Sequence, residues 1–206
     1  MATTKELLIL LAILAAITIW SWIEPYDRLT WWMESLPVFI GLVVLQATRS
    51  RFPLTRLVYY LLFCHAVLLL VGGHYTYSRV PMGFWLQEAF EFSRNPYDRL
   101  GHIAQGFVPA LVAREVFLRN KVLKRGGWLF FLVVCFCLAF SAFYELVEWW
   151  AAVIGGDGSM EFLGVQGDVW DAQWDMLFAL LGAIAALILM SGIQDRQISR
   201  VEKAGI

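Results

Sequence analysis

Acidic residues and histidines collect at one end of the chain's hydrophobic segments, where apolar side chains are the norm. Eight of them fall at the ends or within the first turns of these segments: His74, Asp98, His102, Glu145, Glu148, Asp168, Asp171 and Asp175. An ionisable group at the centre of a bilayer costs roughly 2.5–3.5 kcal/mol on insertion scales, and less near the interface. Because this cost recurs at one depth, we predict that all of them except Asp168 converge on one outward-facing pocket.

The first motif, Asn95-Pro-Tyr-Asp-Arg-Leu-Gly-His102, begins a predicted helix. Its proline suits a first helical turn, and Asp98, His102 and Gln105 are spaced so that they share one helix face. An aspartate one turn before a histidine can orient the imidazole and raise its basicity, as acid–base catalysis requires. The same pair can also be a hydrogen bond within the helix that satisfies a buried imidazole. The pair alone does not decide between the two.

Two further motifs carry only acids. Glu145 and Glu148 lie three residues apart inside an apolar run, where two carboxylates repel each other unless one is protonated or both meet a cation. The third motif places Asp168, Asp171 and Asp175 on one helix face. The first two of these aspartates also suit a helix N-terminus, whose dipole favours acids. Asp175 lies too far into the helix for that role.

Imidazoles with several carboxylates are the ligand set of zinc, manganese and iron enzymes, and they also serve as general acids and bases without a metal. No standard zinc-binding spacing is present, so both interpretations stay open. The residues predicted to be catalytic are His102, Asp98, Glu145, Glu148, Asp171 and Asp175. Those predicted to bind a divalent metal, such as zinc or manganese, are His74, His102, Glu148, Asp171 and Asp175. We interpret His65 as a hydrogen-bonded core histidine, and Asp157 and Glu161 as loop acids outside the site.

Membrane helices must position these motifs. The chain has 206 residues, 60% of them hydrophobic and 16% charged, with a mean hydropathy of +0.64, as in polytopic membrane proteins. Apolar stretches long enough, or nearly so, to span a bilayer run over 7–23, 35–48, 56–73, 101–118, 128–154 and 170–192. The second is short because Pro37 and Gly41 interrupt it. We predict an all-α bundle of six transmembrane helices, forming one integral-membrane domain over 1–206. The first two spans, almost free of polar residues, are interpreted as lipid-facing support.

The basic residues predict the orientation of the bundle. Eleven lie on the side that holds both termini: Lys5, Arg49, Arg51, Arg56, Arg119, Lys121, Lys124, Arg125, Arg196, Arg200 and Lys203. The opposite side holds Arg28, Arg79, Arg94 and Arg99. By the positive-inside rule, both termini are cytoplasmic and the acids and histidines face outward. On that outer side, residues 84–92 carry apolar and acidic residues on opposite helical faces, which predicts a short interfacial helix or an ordinary amphipathic connector.

The three motifs together resemble a known family. The first motif, with Tyr144-Glu-Leu-Val-Glu-Trp149 and Gln166-Gly-Asp-Val-Trp-Asp-Ala-Gln-Trp-Asp-Met176, resembles the YjdF family of bacterial inner-membrane proteins over nearly the whole chain. The resemblance implies a multi-pass protein of the bacterial plasma membrane and carries no established activity. A fainter similarity to VanZ-like proteins rests on Asp98-Arg-Leu-Gly-His102, Glu145, Asp171, Asp175 and Gly182-Ala183, with Arg99 in place of that group's lysine. That group is associated with glycopeptide resistance and the cell envelope, which implies an envelope lipid as substrate.

Three functions fit these observations. The leading hypothesis is an outer-leaflet enzyme, such as a metal-dependent hydrolase or transferase, that acts on a lipid-linked or amphipathic envelope molecule. The second is a proton- or cation-coupled transporter, although transporters usually place their sites near the midplane between broken, repeated helices. The third is a non-catalytic envelope-binding or scaffold protein. The expected partners are the lipid bilayer and the envelope substrate, and no nucleic acid.

Overall fold

The computed structural model describes residues 2–155 and 166–203, and Asp157 and Glu161 lie outside them. The described residues form seven α-helices and a one-turn 3₁₀ helix, with no strand among them. In chain order these are α1 (Thr4–Trp22), α2 (Arg28–Thr48), α3 (Arg56–Tyr75), the 3₁₀ turn (Tyr77–Arg79), α4 (Pro81–Ala89), α5 (Tyr97–Arg119), α6 (Gly127–Gly155) and α7 (Asp171–Lys203). The predicted all-α fold is confirmed.

Five of these helices, α1, α2, α3, α6 and α7, are long and apolar enough to cross a membrane. The polar residues of α5 keep it outside that group, although its 23 residues extend over roughly 35 Å. Its buried residues include Asp98, His102, Arg114 and Glu115. α5 is therefore the polar centre of the bundle, enclosed by helices that are more apolar than itself.

α2 is longer than the predicted span of 35–48. It begins at Arg28, because the side chain of Asp27 caps it by accepting a hydrogen bond from the backbone N–H of Thr30 at 2.7 Å. Pro37 stays inside the helix and does not end it. The earlier start places Glu34 in the helix, where its side chain is buried. The interpretation of this span as lipid-facing support is therefore incomplete, because α2 exposes Ile40, Val43 and Val44 but also brings the side chain of Glu34 into the interior.

Two other helices differ in length from the predictions. The short helix predicted over 84–92 runs instead from Pro81 to Ala89. Proline favours its first turn, and the left-handed backbone of Glu91, with a φ of 54°, prevents its continuation. α7 continues past the predicted span of 170–192 as far as Lys203, and Ile198 and Val201 are buried on this extension.

The closest helix pair is α5 with α7. The two helices run parallel, so residues near their starts meet, and residues near their ends meet. A Cβ atom at Gly106 would lie 1.8 Å from the backbone oxygen of Ala179, and one at Gly182 would lie 2.1 Å from that of Ile103. Only glycine permits this approach. Between membrane helices, small residues that allow close packing drive association.

The remaining helices form a row around this pair. α2 packs on α3, α3 on α5, and α5 on α6, while α1 packs on α3 and α6 also packs on α7. At the ends of α5 and α7, the carboxylate of Glu115 accepts hydrogen bonds from the backbone N–H and the hydroxyl of Thr55 at 2.8 and 2.6 Å. Arg114 donates to Gln194 at 2.9 Å. These contacts fix the end of the bundle opposite to the acids and histidines.

Candidate functional site

His102 lies at the centre of the ionisable cluster, at the end of the bundle where α5 and α7 begin, called here the polar end. Its Nε2 is 3.6 Å from Oδ1 of Asp98, one turn earlier on α5, and 3.8 Å from Oδ1 of Asp175 on α7. Its Nδ1 is 2.8 Å from Oε1 of Gln105. An amide oxygen only accepts hydrogen bonds, so Nδ1–H donates here and Nε2 faces the two carboxylates.

α6 completes the cluster. Oε1 of Glu145 lies 4.0 Å from Nδ1 of His102. Side-chain donor atoms of His102, Glu145 and Glu148 lie within 4.8 Å of one another, and the same holds for Asp98, His102 and Asp175. The structure therefore brings together five of the residues that the sequence predicts to share a pocket.

Arg94 is the main residue of the site that the sequence analysis missed. Its guanidinium forms an ion pair with Asp171 and donates a hydrogen bond to Oδ2 of Asp98 at 3.3 Å. Oδ2 of Asp168 lies 3.9 Å from the same guanidinium. The Arg94 side chain is 6% exposed, although it lies in a connection that reads as a polar loop. The signal that could have identified it is a lone arginine one helical turn before Asp98, at the level of the acids.

Asn95 explains why the first motif needs its leading residues. Its Nδ2 donates to the backbone oxygen of Val80 and its Oδ1 accepts from the backbone N–H of Tyr97, both at 3.1 Å. Its backbone N–H and oxygen bond the side-chain amide of Gln166 at 3.1 and 3.2 Å. The start of α5 is thus tied to the segment before α4 and to the segment before α7.

Two residues predicted to bind metal lie elsewhere. Nδ1 of His74 is 3.0 Å from the backbone oxygen of Ser21, and its ring packs on that of Trp20 with centroids 4.5 Å apart. His74 therefore joins α3 to α1. Asp171 pairs with Arg94 and belongs to neither ligand group formed by the described residues. His74 has the predicted depth but faces α1, whereas Asp171 lies one turn before Asp175 on α7 and faces Arg94.

A cavity of about 520 Å³ leads away from the cluster. Its walls are formed by five helices, α1, α2, α3, α5 and α6. Its polar end is lined by Glu34, His65, Tyr77, Asp98, His102, Gln105, Tyr144 and Glu148. The rest of the cavity is lined mostly by apolar side chains, such as Leu14, Leu42 and Phe136. Gln46 and Arg49 lie at the far end. The cavity thus joins a long apolar space to the ionisable cluster.

Glu34 and His65 belong to this cavity, and sequence reasoning missed both. Glu34 lies one residue before the predicted second span of 35–48 and is therefore absent from the predicted site. His65 was interpreted as a hydrogen-bonded core residue, yet its buried Nε2 has no hydrogen-bond partner within the described residues. Oε1 of Glu145 and Oδ1 of Asp175 are likewise buried and have no hydrogen-bond partner in that part of the chain. Three polar atoms around the cluster are therefore free to meet a proton, an ion or a substrate.

These features define the chain as a polytopic α-helical membrane protein with a buried ionisable cluster at one end of an apolar cavity. The model of the family described as "Predicted membrane protein (DUF2238)" matches residues 6–196, and the chain belongs to this family. The chain is also 52% identical over 187 residues to "Inner membrane protein YjdF" of Escherichia coli (strain K12), covering 91% of this chain and 90% of that protein. The predicted YjdF resemblance is confirmed, whereas the similarity to VanZ-like proteins is not shown. No solved structure matches the chain.

Proposed function

We propose that this protein is an outer-leaflet enzyme that hydrolyses, or transfers a group from, an amphipathic lipid-type molecule of the bacterial envelope. The observation that carries the proposal is the continuity of the cavity with the His102 cluster. Enzyme and ligand sites are concave, of roughly 300–1,000 Å³, and mostly apolar with a few convergent polar groups. This cavity has that size and that distribution of side chains.

The proposal includes six spans with both termini in the cytoplasm. α5 joins the five apolar helices as an additional span, because its charged residues are covered by α3, α6 and α7 and need not contact lipid. Eleven basic residues then lie on the cytoplasmic side and four on the outer side, as the positive-inside rule requires. The polar end of the bundle faces outward, and the bilayer of the inner membrane surrounds the protein.

The substrate lies with its polar head at His102 and its apolar chain along the cavity toward Gln46 and Arg49. A lipid chain that enters this cavity from the bilayer exchanges one apolar environment for another, so the apolar walls add little affinity. Selection must therefore come from the head group. Among the described residues that line the polar end, the ionisable groups other than His65, His102 and the tyrosines are carboxylates, so a head that brings a cation or a transferable proton fits best.

The chemistry of the cluster is general acid–base catalysis centred on His102. The hydrogen bond to Gln105 fixes the ring so that Nε2 is the basic nitrogen. Asp98 and Asp175 stabilise the positive charge that arises when Nε2 takes a proton. Glu145, whose Oε1 is unpartnered, offers a second group that can hold or release a proton at the same place.

The apolar walls argue against the transporter hypothesis. Protons and metal ions cross membranes along polar or water-filled paths. Between the cluster and Gln46, this cavity is lined mostly by leucine, valine and phenylalanine. Such a path suits a lipid chain and excludes a hydrated ion.

Filling the cavity tests the substrate site without touching the cluster. Gly41 lines the cavity, and a Cβ atom there meets nothing within 4 Å. Gly41→Trp should therefore fold and exclude the amphiphile, while Gly192→Trp, at an exposed glycine that also has open space, serves as the matched control. Lipids extracted from the purified proteins are measured by mass spectrometry. We expect one amphiphile in the wild type and in the control, and its loss in Gly41→Trp.

Complementation of an envelope phenotype tests the chemistry. His102→Ala and Asp175→Ala should abolish complementation at normal protein levels, because both remove groups that face the reacting atoms. Gly192→Trp should complement fully. Full rescue by both alanine variants would refute the enzyme, and an unchanged lipid content in Gly41→Trp would refute the cavity as the substrate site.

A further inference from the structure

We propose that Asp98, His102 and Asp175 bind one divalent metal ion, with Zn²⁺ as the best match. The inference deepens the proposed function and rests on it for the use to which the ion is put. A bound ion would take the place of the proton at Nε2 of His102, and Glu145 would then be the group that holds or releases a proton. Metal binding itself can be tested without any reaction. It replaces the ligand set predicted from the sequence, because His74 and Asp171 lie elsewhere.

The spacing of the donor atoms fits a shared ion better than it fits hydrogen bonds. N–H···O bonds are roughly 2.7–3.2 Å long, whereas Nε2 of His102 is 3.6 and 3.8 Å from the oxygens of Asp98 and Asp175. Two ligands roughly 2.1 Å from a tetrahedral zinc ion stand about 3.4 Å apart. The observed separations lie within a few tenths of an ångström of that value, and all three donor atoms lie within 4.8 Å of one another.

The outer contacts of two ligands match those of a metal site. Metal-bound histidines donate their other ring N–H to an acceptor, which holds the ring and frees the second nitrogen for the ion. Gln105 accepts this bond from Nδ1 of His102 at 2.8 Å. Arg94 holds Oδ2 of Asp98 at 3.3 Å, which leaves Oδ1 directed at His102.

Asp175 supplies an independent indication. The residue is 3% exposed, and its Oδ1 has no hydrogen-bond partner in the described part of the chain, although it faces Nε2 of His102. Leaving a buried acceptor unsatisfied costs about 1–3 kcal/mol, and more when it is charged. A cation between Asp175 and His102 removes that cost and also screens the repulsion between Asp98 and Asp175.

The second group of possible ligands competes poorly for the ion. Glu145 approaches His102 on the side of Nδ1, at 4.0 Å, and Gln105 already occupies that nitrogen. Glu145 and Glu148 therefore lie beside the ion rather than around it. Nitrogen and oxygen donors of this kind suit zinc, and manganese is the alternative that more carboxylates would favour.

Metal titration of the full-length protein in detergent tests the inference. The chain is stripped with a chelator, passed through gel filtration and titrated with Zn²⁺ and separately with Mn²⁺, with bound metal measured by mass spectrometry. We expect one Zn²⁺ per chain in the wild type. His102→Ala and Asp175→Asn should each weaken binding by at least about 100-fold, and Gln105→Leu by roughly 10–100-fold, as for other residues that orient a ligand.

Asp195→Asn is the matched control, since it makes the same change on the same helix, twenty residues from Asp175 and roughly 30 Å away. It should bind Zn²⁺ like the wild type. Thermal unfolding without metal shows which variants are folded. If Asp175→Asn does not fold, the Zn²⁺ affinity of Gln105→Leu replaces it as the test. A wild type that binds neither metal, or an Asp175→Asn variant that binds as tightly as the wild type, would overturn the inference. Loss of complementation by His102→Ala would still support the proposed enzyme, so the two ideas fail separately.

Discussion

Replacing Arg94 with methionine removes the buried cation that holds the polar end of the bundle together. The Arg94 side chain is 6% exposed, and those of its partners Asp171 and Asp98 are 10% and 13% exposed. Methionine keeps much of the side-chain length but leaves these carboxylates without their cation. Removing one partner of a buried ion pair costs about 3–5 kcal/mol, because the other charge stays buried and uncompensated.

This cost predicts a measurable loss of thermal stability. For a chain of this size, 1 kcal/mol lowers Tm by about 2–4 °C, so Arg94→Met should lower it by roughly 6–20 °C. Adding Asp171→Asn should restore part of the loss, because it removes one of the uncompensated charges. Unfolding is followed by tryptophan fluorescence of the purified protein in detergent.

Arg99→Met is the control for this prediction. The Arg99 side chain is 27% exposed, and its guanidinium lies 3.6 Å from Asp168. Partly exposed ion pairs contribute about 0–1 kcal/mol, so Tm should fall by no more than roughly 4 °C. Equal effects of Arg94→Met and Arg99→Met, or no recovery in the double variant, would refute the reasoning that Arg94 compensates buried charge.

Two further predictions concern the bundle as a whole. A fluorescent protein fused after residue 206 should be bright, and alkaline phosphatase fused at the same place should be inactive, because the positive-inside rule places this end in the cytoplasm. An active phosphatase fusion would contradict the topology. Gly106→Leu should prevent folding, because a Cβ atom there would lie 1.8 Å from the backbone oxygen of Ala179. Gly192→Leu, with open space around it, should leave Tm within about 2 °C, and similar Tm values for the two variants would show that α5 and α7 do not pack as described.

Features that depend on local spacing could be predicted from the sequence. Helical periodicity places Asp98, His102 and Gln105 on one face, and in the structure His102 contacts both of the others. The depth of Glu145, on the next helix in the chain, follows from its position in an apolar run. Gly182 follows Asp171 and Asp175 on the same helix, and small residues allow close approach between membrane helices.

The errors share one physical cause. His74 has the predicted depth, but α3 is rotated so that its ring packs on Trp20. Arg94 and Glu34 both lie outside the predicted spans, Glu34 by only one residue. The rotation of a helix, and the burial of a residue at its end, depend on the neighbouring helices and not on the residue's own segment.

The sequence by itself determined the class of the protein and five residues of its candidate site. Hydropathy defines membrane helices, and helical spacing decides which acids and histidines share a face. Only the tertiary structure decided which faces meet. Contacts such as that of Gly106 with Ala179 bring α5 and α7 within reach of each other and place Asp175 opposite His102. The rotation and pairing of helices minimise the free energy of all their contacts together, and no single segment contains that information.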